Sequence, residues 1–190
     1  MKKIILLAIT LAIFVNCSNS DEGIDCTLFD PVFPSLYIRI LDSTGVNLIE
    51  NGTINPNNIT VEGDFSAAGF QVVAENEFPL SDPVLSELNN SLRLIIARKS
   101  AFQYTINFAD IDKAITIDFA AEETKILCDV TYFKPIKGDY ENLTMELREV
   151  RNLQFVGDLN LKLNKKNYRG AYLPPTGDDQ RVLRSVSKVK

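Results

Sequence analysis

Six carboxylates stand in close pairs along this chain: Asp110 with Asp112, Glu122 with Glu123, and Glu146 with Glu149. Paired carboxyls are the machinery of most glycoside hydrolases, where one protonates the leaving oxygen while the other attacks or activates water. The sequence contains no histidine, which removes Ser-His-Asp and Cys-His nucleophiles, histidine-ligated zinc and the usual neutral-pH base. It also lacks a G-x-S-x-G elbow, a phosphate loop and a CxxC pair. Acid pairs commonly keep a β surface soluble or blunt a sheet edge. That plainer role is the expectation here, with no catalytic residue and no enzyme. Turn Asp and Asn residues offer the hard oxygens that calcium needs, but no D-x-D-x-D-G spacing occurs. No metal and no cofactor is expected.

Cys17, Cys26 and Cys128 are the other reactive side chains. Lys2 and Lys3 precede an uncharged apolar run from Ile4 to Val15. About 20 apolar residues are needed to cross a hydrocarbon core roughly 30 Å thick, so this run is too short to span. It reads as the helix of a signal peptide, residues 1–16. At its end, Phe14-Val15-Asn16-Cys17 resembles the lipobox of bacterial lipoproteins, with Phe14 where Leu is commonest and Asn16 where a small residue is usual.

What this resemblance implies is that the Cys17 thiol carries a diacylglyceryl group and becomes the mature N-terminus. At about 0.8 kcal/mol per buried CH₂, three acyl chains hold a protein on a membrane essentially permanently. Cys26 and Cys128 then remain as an even pair in a compartment that permits a disulfide. The alternative for Cys128 is a small buried apolar residue. Residues 17–30 are polar and acidic, as a solvated tether is. Within them Ser20-Asp21-Glu22 is loosely similar to the sorting stretch of Bacteroidota-type lipoproteins, and a plain linker accounts for it equally well. The implied address is the outer membrane, lipid-anchored, on its periplasmic or cell-surface face.

Charge is unevenly spread. From Cys17 to Leu161 there are 23 acidic against 10 basic side chains, and from Lys162 to Lys190 there are 2 acidic against 8 basic. An acidic body argues against a nucleic-acid partner, because phosphate neutralisation supplies most of that affinity. Residues 171–190 are expected to form a basic, flexible tail.

The elements that must position these residues show period-two alternation. Leu36, Ile38 and Ile40 share one face of a strand, opposite Tyr37 and Arg39. Phe102, Tyr104, Ile106 and Phe108 do the same, as do Ile115, Ile117 and Phe119, then Ile126, Cys128, Val130 and Tyr132. Leu143, Met145 and Leu147 follow, then Leu153, Phe155, Leu159, Leu161 and Leu163. Asp42-Ser43-Thr44-Gly45, Asn51-Gly52, Asn55-Pro56-Asn57, Asp82-Pro83 and Lys137-Gly138-Asp139 read as reversals. Asp82-Pro83 also predicts a short helical turn, with a strand resuming near Leu92. About eight short strands predict an all-β fold over residues 31–170, an antiparallel β-sandwich of the immunoglobulin or transthyretin-like kind. A small β-barrel is the alternative. The stretch Gly45-Val46-Asn47-Leu48-Ile49, then Thr53 and Ile59-Thr60-Val61, is similar to a recurring hairpin of uncharacterised Bacteroidota lipoproteins. That resemblance spans about 30 residues and implies a sandwich lipoprotein rather than an activity.

With no tryptophan present, a ligand surface would fall to the tyrosines and phenylalanines outside the core pattern. Tyr37, Tyr168 and Tyr172 read as outward or loop aromatics. Tyr132, Phe133 and Tyr140 could gather around the KPIKGD stretch as one platform, the alternative being ordinary sheet packing. The functional expectation is a non-catalytic binding or adhesion module held to a membrane by its N-terminal lipid, its partner a glycan or an envelope protein. The competing expectation is a carboxylate-dependent glycan hydrolase or a glycan-uptake accessory protein.

Overall fold

The computed structural model describes residues 25–163. The signal peptide 1–16, Cys17, the first part of the tether, Tyr168, Tyr172 and the tail 171–190 lie outside the described residues. The chain divides into two compact units. The described part of the smaller one is residues 25–31 with Ile126–Val130, and of the larger one residues 32–125 and 131–163.

The smaller unit is closed by a disulfide between Cys26 and Cys128, with 5.5 Å between their Cα atoms. Asp25 shapes its first turn by accepting hydrogen bonds from the Thr27 N–H and hydroxyl. Leu127–Asp129 form a 3₁₀ turn in which Cys128 and Asp129 both have positive φ. Alternation placed Cys128 inside a strand with Ile126, Val130 and Tyr132. Left-handed backbone at two consecutive residues ends any strand, so the segment is a tight turn instead.

The described part of the larger unit is a β-sandwich of ten strands. They are β1 (Ser35–Asp42), β2 (Ile59–Gly63), β3 (Phe70–Val72), β4 (Leu92–Leu94), β5 (Ala101–Phe108), β6 (Lys113–Lys125), β7 (Thr131–Tyr140), β8 (Leu143–Glu146), β9 (Arg148–Arg151) and β10 (Gln154–Leu161). One sheet runs β3-β4-β1-β10-β9 and the other β2-β5-β6-β7-β8. The two remain separate, so the barrel alternative is not what forms. Pairing is antiparallel except between the first and last strands, which lie parallel at the centre of their sheet. Their register sets Leu36 beside Phe155 and Ile40 beside Leu159, and puts Arg39 beside Asp158. A slip of one residue would turn the apolar set outward and break the ionic pair together.

Leu36, Ile38 and Ile40 meet Tyr104, Ile106, Phe108, Ile115 and Ile117 in a single core. Each such fully buried side chain contributes about 1.5–3 kcal/mol. Met145 of β8 packs into this core where β8 and β9 carry the chain from one sheet to the other, so LTMELREV is two short strands rather than one. Space for the methionine exists because Gly138 and Gly157 have no side chain. A Cβ at Gly157 would lie 2.7 Å from its Sδ, and one at Gly138 2.8 Å from its Cε.

The predicted reversal at Lys137-Gly138-Asp139 is instead continuous strand. Ala120 pairs with Lys137 but Ala121 with Pro135, so Ile136 is an extra residue in β7. That bulge exchanges the faces of the strand. Pro135 is buried before it, Gly138 and Tyr140 after it.

Between β3 and β4 the chain makes a long excursion over the outer face of the first sheet. Phe78, Leu85 and Leu88 cover Tyr37 and Val156, forming a second small apolar cluster. Tyr37 therefore faces outward from the sandwich, as alternation requires, yet is only 2% exposed. The predicted helical turn is there at Pro83–Ser86, capped by Asp82, whose carboxylate accepts from the Val84 and Leu85 N–H groups.

Candidate functional site

The carboxylate pairs do not converge. Both oxygens of Asp110 are engaged, one accepting from the Asn55 N–H at 2.7 Å and the other from the Asn58 amide at 2.6 Å. Asp112 closes a 3₁₀ turn with left-handed backbone. Glu122 and Glu123 are neighbours on β6, so their side chains leave opposite faces. Glu146 and Glu149 belong to different sheets, and Glu149 accepts from the Leu153 N–H. None of the six lines a described concavity. Wherever a described aspartate has its acidity displaced, at Asp25, Asp42, Asp64, Asp82 and Asp139, the shift is downward. In each the leading cause is a hydrogen bond donated to the carboxylate, from Thr27, Thr44, the Gln103 backbone, the Leu85 backbone and Lys137 respectively. Such carboxylates organise turns; a general acid needs the opposite shift. Among the described residues no three Cys, Asp or Glu side chains are placed to hold a metal ion.

Two of the concavities among the described residues differ in character. The first is a groove of about 540 Å³ lined from both sheets. Phe33 and Ser35 contribute at the start of β1, Phe70 from β3, Ile95–Arg98 from the segment after β4, and Thr131–Phe133 from β7. Phe70 and Phe133 pack on the core and so give the groove a rigid aromatic base, while Phe33 is 52% exposed. The Ile95–Arg98 segment is held by Tyr104. Its phenol donates to the Ile95 carbonyl at 2.8 Å and accepts from the Gly69 N–H at 3.3 Å. Burial pushes the Tyr104 phenol up, which keeps it protonated as that donor. A Cβ on Gly69 would sit 3.2 Å from Ile95 Cδ1, a tight contact that the half-exposed isoleucine side chain would have to relieve.

Charge around the groove is also distinctive. Lys99 is paired with Asp64 at 2.7 Å and lies 5.9 Å from the Phe65 ring centroid. Arg98, next to it, is exposed and lines both this groove and an adjoining hollow beside Phe65. Arg39, Arg93, Arg148 and Arg151 each have a carboxylate within 4 Å. Arg98 is the one described arginine outside that pattern.

The second concavity, about 840 Å³, lies over the outer face of the first sheet, among Arg39, Asn47, Asn51, Glu87 and Asn89. Several of its polar groups have partners within the fold, while the exposed side chains of Glu50, Glu75 and Asn76 point to solvent without one. Arg39 grips Asp158 through two 2.7 Å hydrogen bonds and lies 3.6 Å from Glu87, which in turn accepts from Arg148. Asn89 bonds both the N–H and the carbonyl of Phe78, at 2.9 and 3.0 Å. Asn47 holds the Ile49 N–H and the Asn90 carbonyl.

Of the three residues grouped in sequence as a platform, two line the groove and one does not. Tyr132 and Phe133 lie along one wall. As strand neighbours they leave opposite faces of β7, and Phe133 takes the core side. Tyr140 is buried on the far side of the bulge, its hydroxyl accepting from the Asn160 N–H at 3.1 Å. The groove's other components, Phe33, Phe70 and Arg98, are sequence-distant. A faint signal exists for Phe33, an aromatic between Pro31 and Pro34 just ahead of a strand. Comparison with protein-family models, with curated proteins and with solved structures gives no match.

Proposed function

We propose that this chain is a lipid-anchored lipoprotein of the cell envelope whose sandwich is a non-catalytic binding module, with a saccharide seated in the groove beside Phe33. The anchor rests on the lipobox-like Phe14-Val15-Asn16-Cys17, and places the domain at the outer membrane on a short acidic tether. The observation that carries the binding reading is the groove itself. A rigid aromatic base, an exposed ring at the rim and hydroxyls from Ser35 and Thr131 are what a pyranose needs, apolar C–H faces meeting rings and hydroxyls meeting polar groups. The hydrolase reading has less support, because Asp110 is consumed by the Asn55–Asn58 loop and none of the three acid pairs lines a concavity described above.

The test is a screen of the mature protein against envelope and dietary oligosaccharides for binding and for cleavage, beside Asp110→Asn, Glu123→Gln and Phe33→Ala. Binding without turnover, weakened by Phe33→Ala alone, is the expected result. Turnover abolished by either carboxylate change would replace this reading with the hydrolase. Mass spectrometry of the mature N-terminus should find triacylated Cys17, and an unmodified cysteine there would remove the anchor.

A further inference from the structure

The groove's polar groups specify more than a saccharide. We propose that it selects an acidic one, with the Arg98 guanidinium receiving a uronate carboxylate; this rests on the groove being the binding site. The described residues carry a clear excess of acidic over basic side chains, and the other described arginines are each matched to a carboxylate. Lys99 is matched as well, to Asp64. A guanidinium left unmatched at the edge of an aromatic groove, on a surface so rich in carboxylates, is a receptor for a carboxylate brought in from outside. The planar fork suits that group bidentately, whereas phosphate sites usually gather several cations or backbone N–H groups.

The saccharide is argued from the rings of the groove base, the hydroxyl-bearing Ser35 and Thr131 and the counter-charge of Arg98. β3 is an edge strand and β7 pairs with β8 only from Lys137 onward. Strand addition by an acidic peptide is therefore the competing occupant, and binding of an Asp/Glu-rich peptide without uronate binding overturns the proposal. A sugar needs only rings, hydroxyls and a counter-charge. The Tyr104 bonds to Ile95 and Gly69 set the course of the backbone leading to Arg98, which lowers the ordering cost of binding.

The experiment uses galacturonate, glucuronate and mannuronate trisaccharides, each beside its carboxyl-reduced neutral counterpart. Titration calorimetry would compare the mature protein with Arg98→Gln, Arg98→Lys and Phe33→Ala. At least one uronate should bind about tenfold or more tightly than its neutral counterpart, the scale of one charge-assisted hydrogen-bonded pair. Arg98→Gln should erase that preference, Arg98→Lys should keep part of it, and Phe33→Ala should weaken acid and neutral forms alike. Equal affinity for the two forms, or a preference that survives Arg98→Gln, overturns the proposal. If neutral sugars bind and Phe33→Ala abolishes it, the groove stands and only the acidic selection falls. If no saccharide binds, the proposal and the groove reading fall together.

Discussion

Two concavities on the described sandwich, the groove beside Phe33 and the hollow over the first sheet, differ in a way that their sizes hide. The hollow over the outer face of the first sheet is the larger, at about 840 Å³ against 540 Å³, yet its half-buried charged groups are paired within the fold and its exposed polar ones are acidic or neutral. Arg39 and Glu87, which line it, are tied to Asp158 and Arg148, and Asn47 and Asn89 pin the loops that wall it. The groove beside Phe33 is the reverse, with rigid rings below, a half-exposed ring above and a guanidinium with no carboxylate of its own. A buried or half-buried polar group that already has its partner stabilises the fold. An exposed cation without a protein partner holds only water, which an incoming carboxylate can displace.

If that distinction is right, substitutions on the two sides should separate stability from binding. The largest stability effect is expected at the base of the roof. Tyr37→Ala would open a cavity under Phe78 and Leu88 and cost about 3–5 kcal/mol, seen as a lowered denaturant midpoint with saccharide affinity retained in the folded fraction. Next is Arg39→Met, which strips Asp158 of both its charge-assisted bonds. Since the pair is partly solvated, about 1–2 kcal/mol is expected, again without loss of affinity. A comparable loss of affinity at either site would break the comparison.

Tyr104→Phe tests the connection between fold and groove. Removing the phenol should cost about 1 kcal/mol, and hydrogen exchange should quicken at Ile95 and in the neighbouring segment 96–98, the Ile95 N–H itself donating to Gly69. Acidification should act on both sides. Asp82 and Asp42 support the loops beside the hollow, and Asp64 ties Lys99 and the Gln103 backbone on the groove side. Each carboxyl is held below its ordinary value, so the stability it contributes is complete above about pH 4 and declines as pH falls through the folded values. Thermal midpoints from pH 6 to pH 2 should fall accordingly, and a rise on acidification would contradict these assignments. The smallest stability effect belongs to Arg98→Gln, within about 0.5 kcal/mol as for other exposed side chains without special contacts.

The sandwich was legible because alternation is a local signal. Leu36, Ile38 and Ile40, Phe102 to Phe108, and Ile115 to Phe119 all face the core as their spacing requires. Asp82-Pro83 announced its helical turn because a cap and a first-turn proline act within a few residues. What could not be read depends on partners distant in sequence. The parallel β1–β10 pair joins residues more than a hundred positions apart. The turn at Cys128 uses left-handed backbone without glycine, so it carries no punctuation. The bulge at Ile136 is set by pairing with β6, and it is why Tyr140 joins the core while Tyr132 stays at the groove. Two of the three aromatics grouped in sequence, Tyr132 and Phe133, therefore line the groove, and Arg98 was not singled out, because being unmatched is a property of the whole surface.

The most direct measurement is backbone-amide shift mapping of the ¹⁵N-labelled mature protein, titrated with the tightest-binding saccharide of the screen. Perturbations are expected at Phe33, Ser35, Phe70, Ile95–Arg98 and Thr131–Phe133, the residues of the groove. Perturbations centred instead on Asn47, Asn51, Glu87 and Asn89, with the groove silent, would contradict the account and assign the ligand to the hollow over the first sheet.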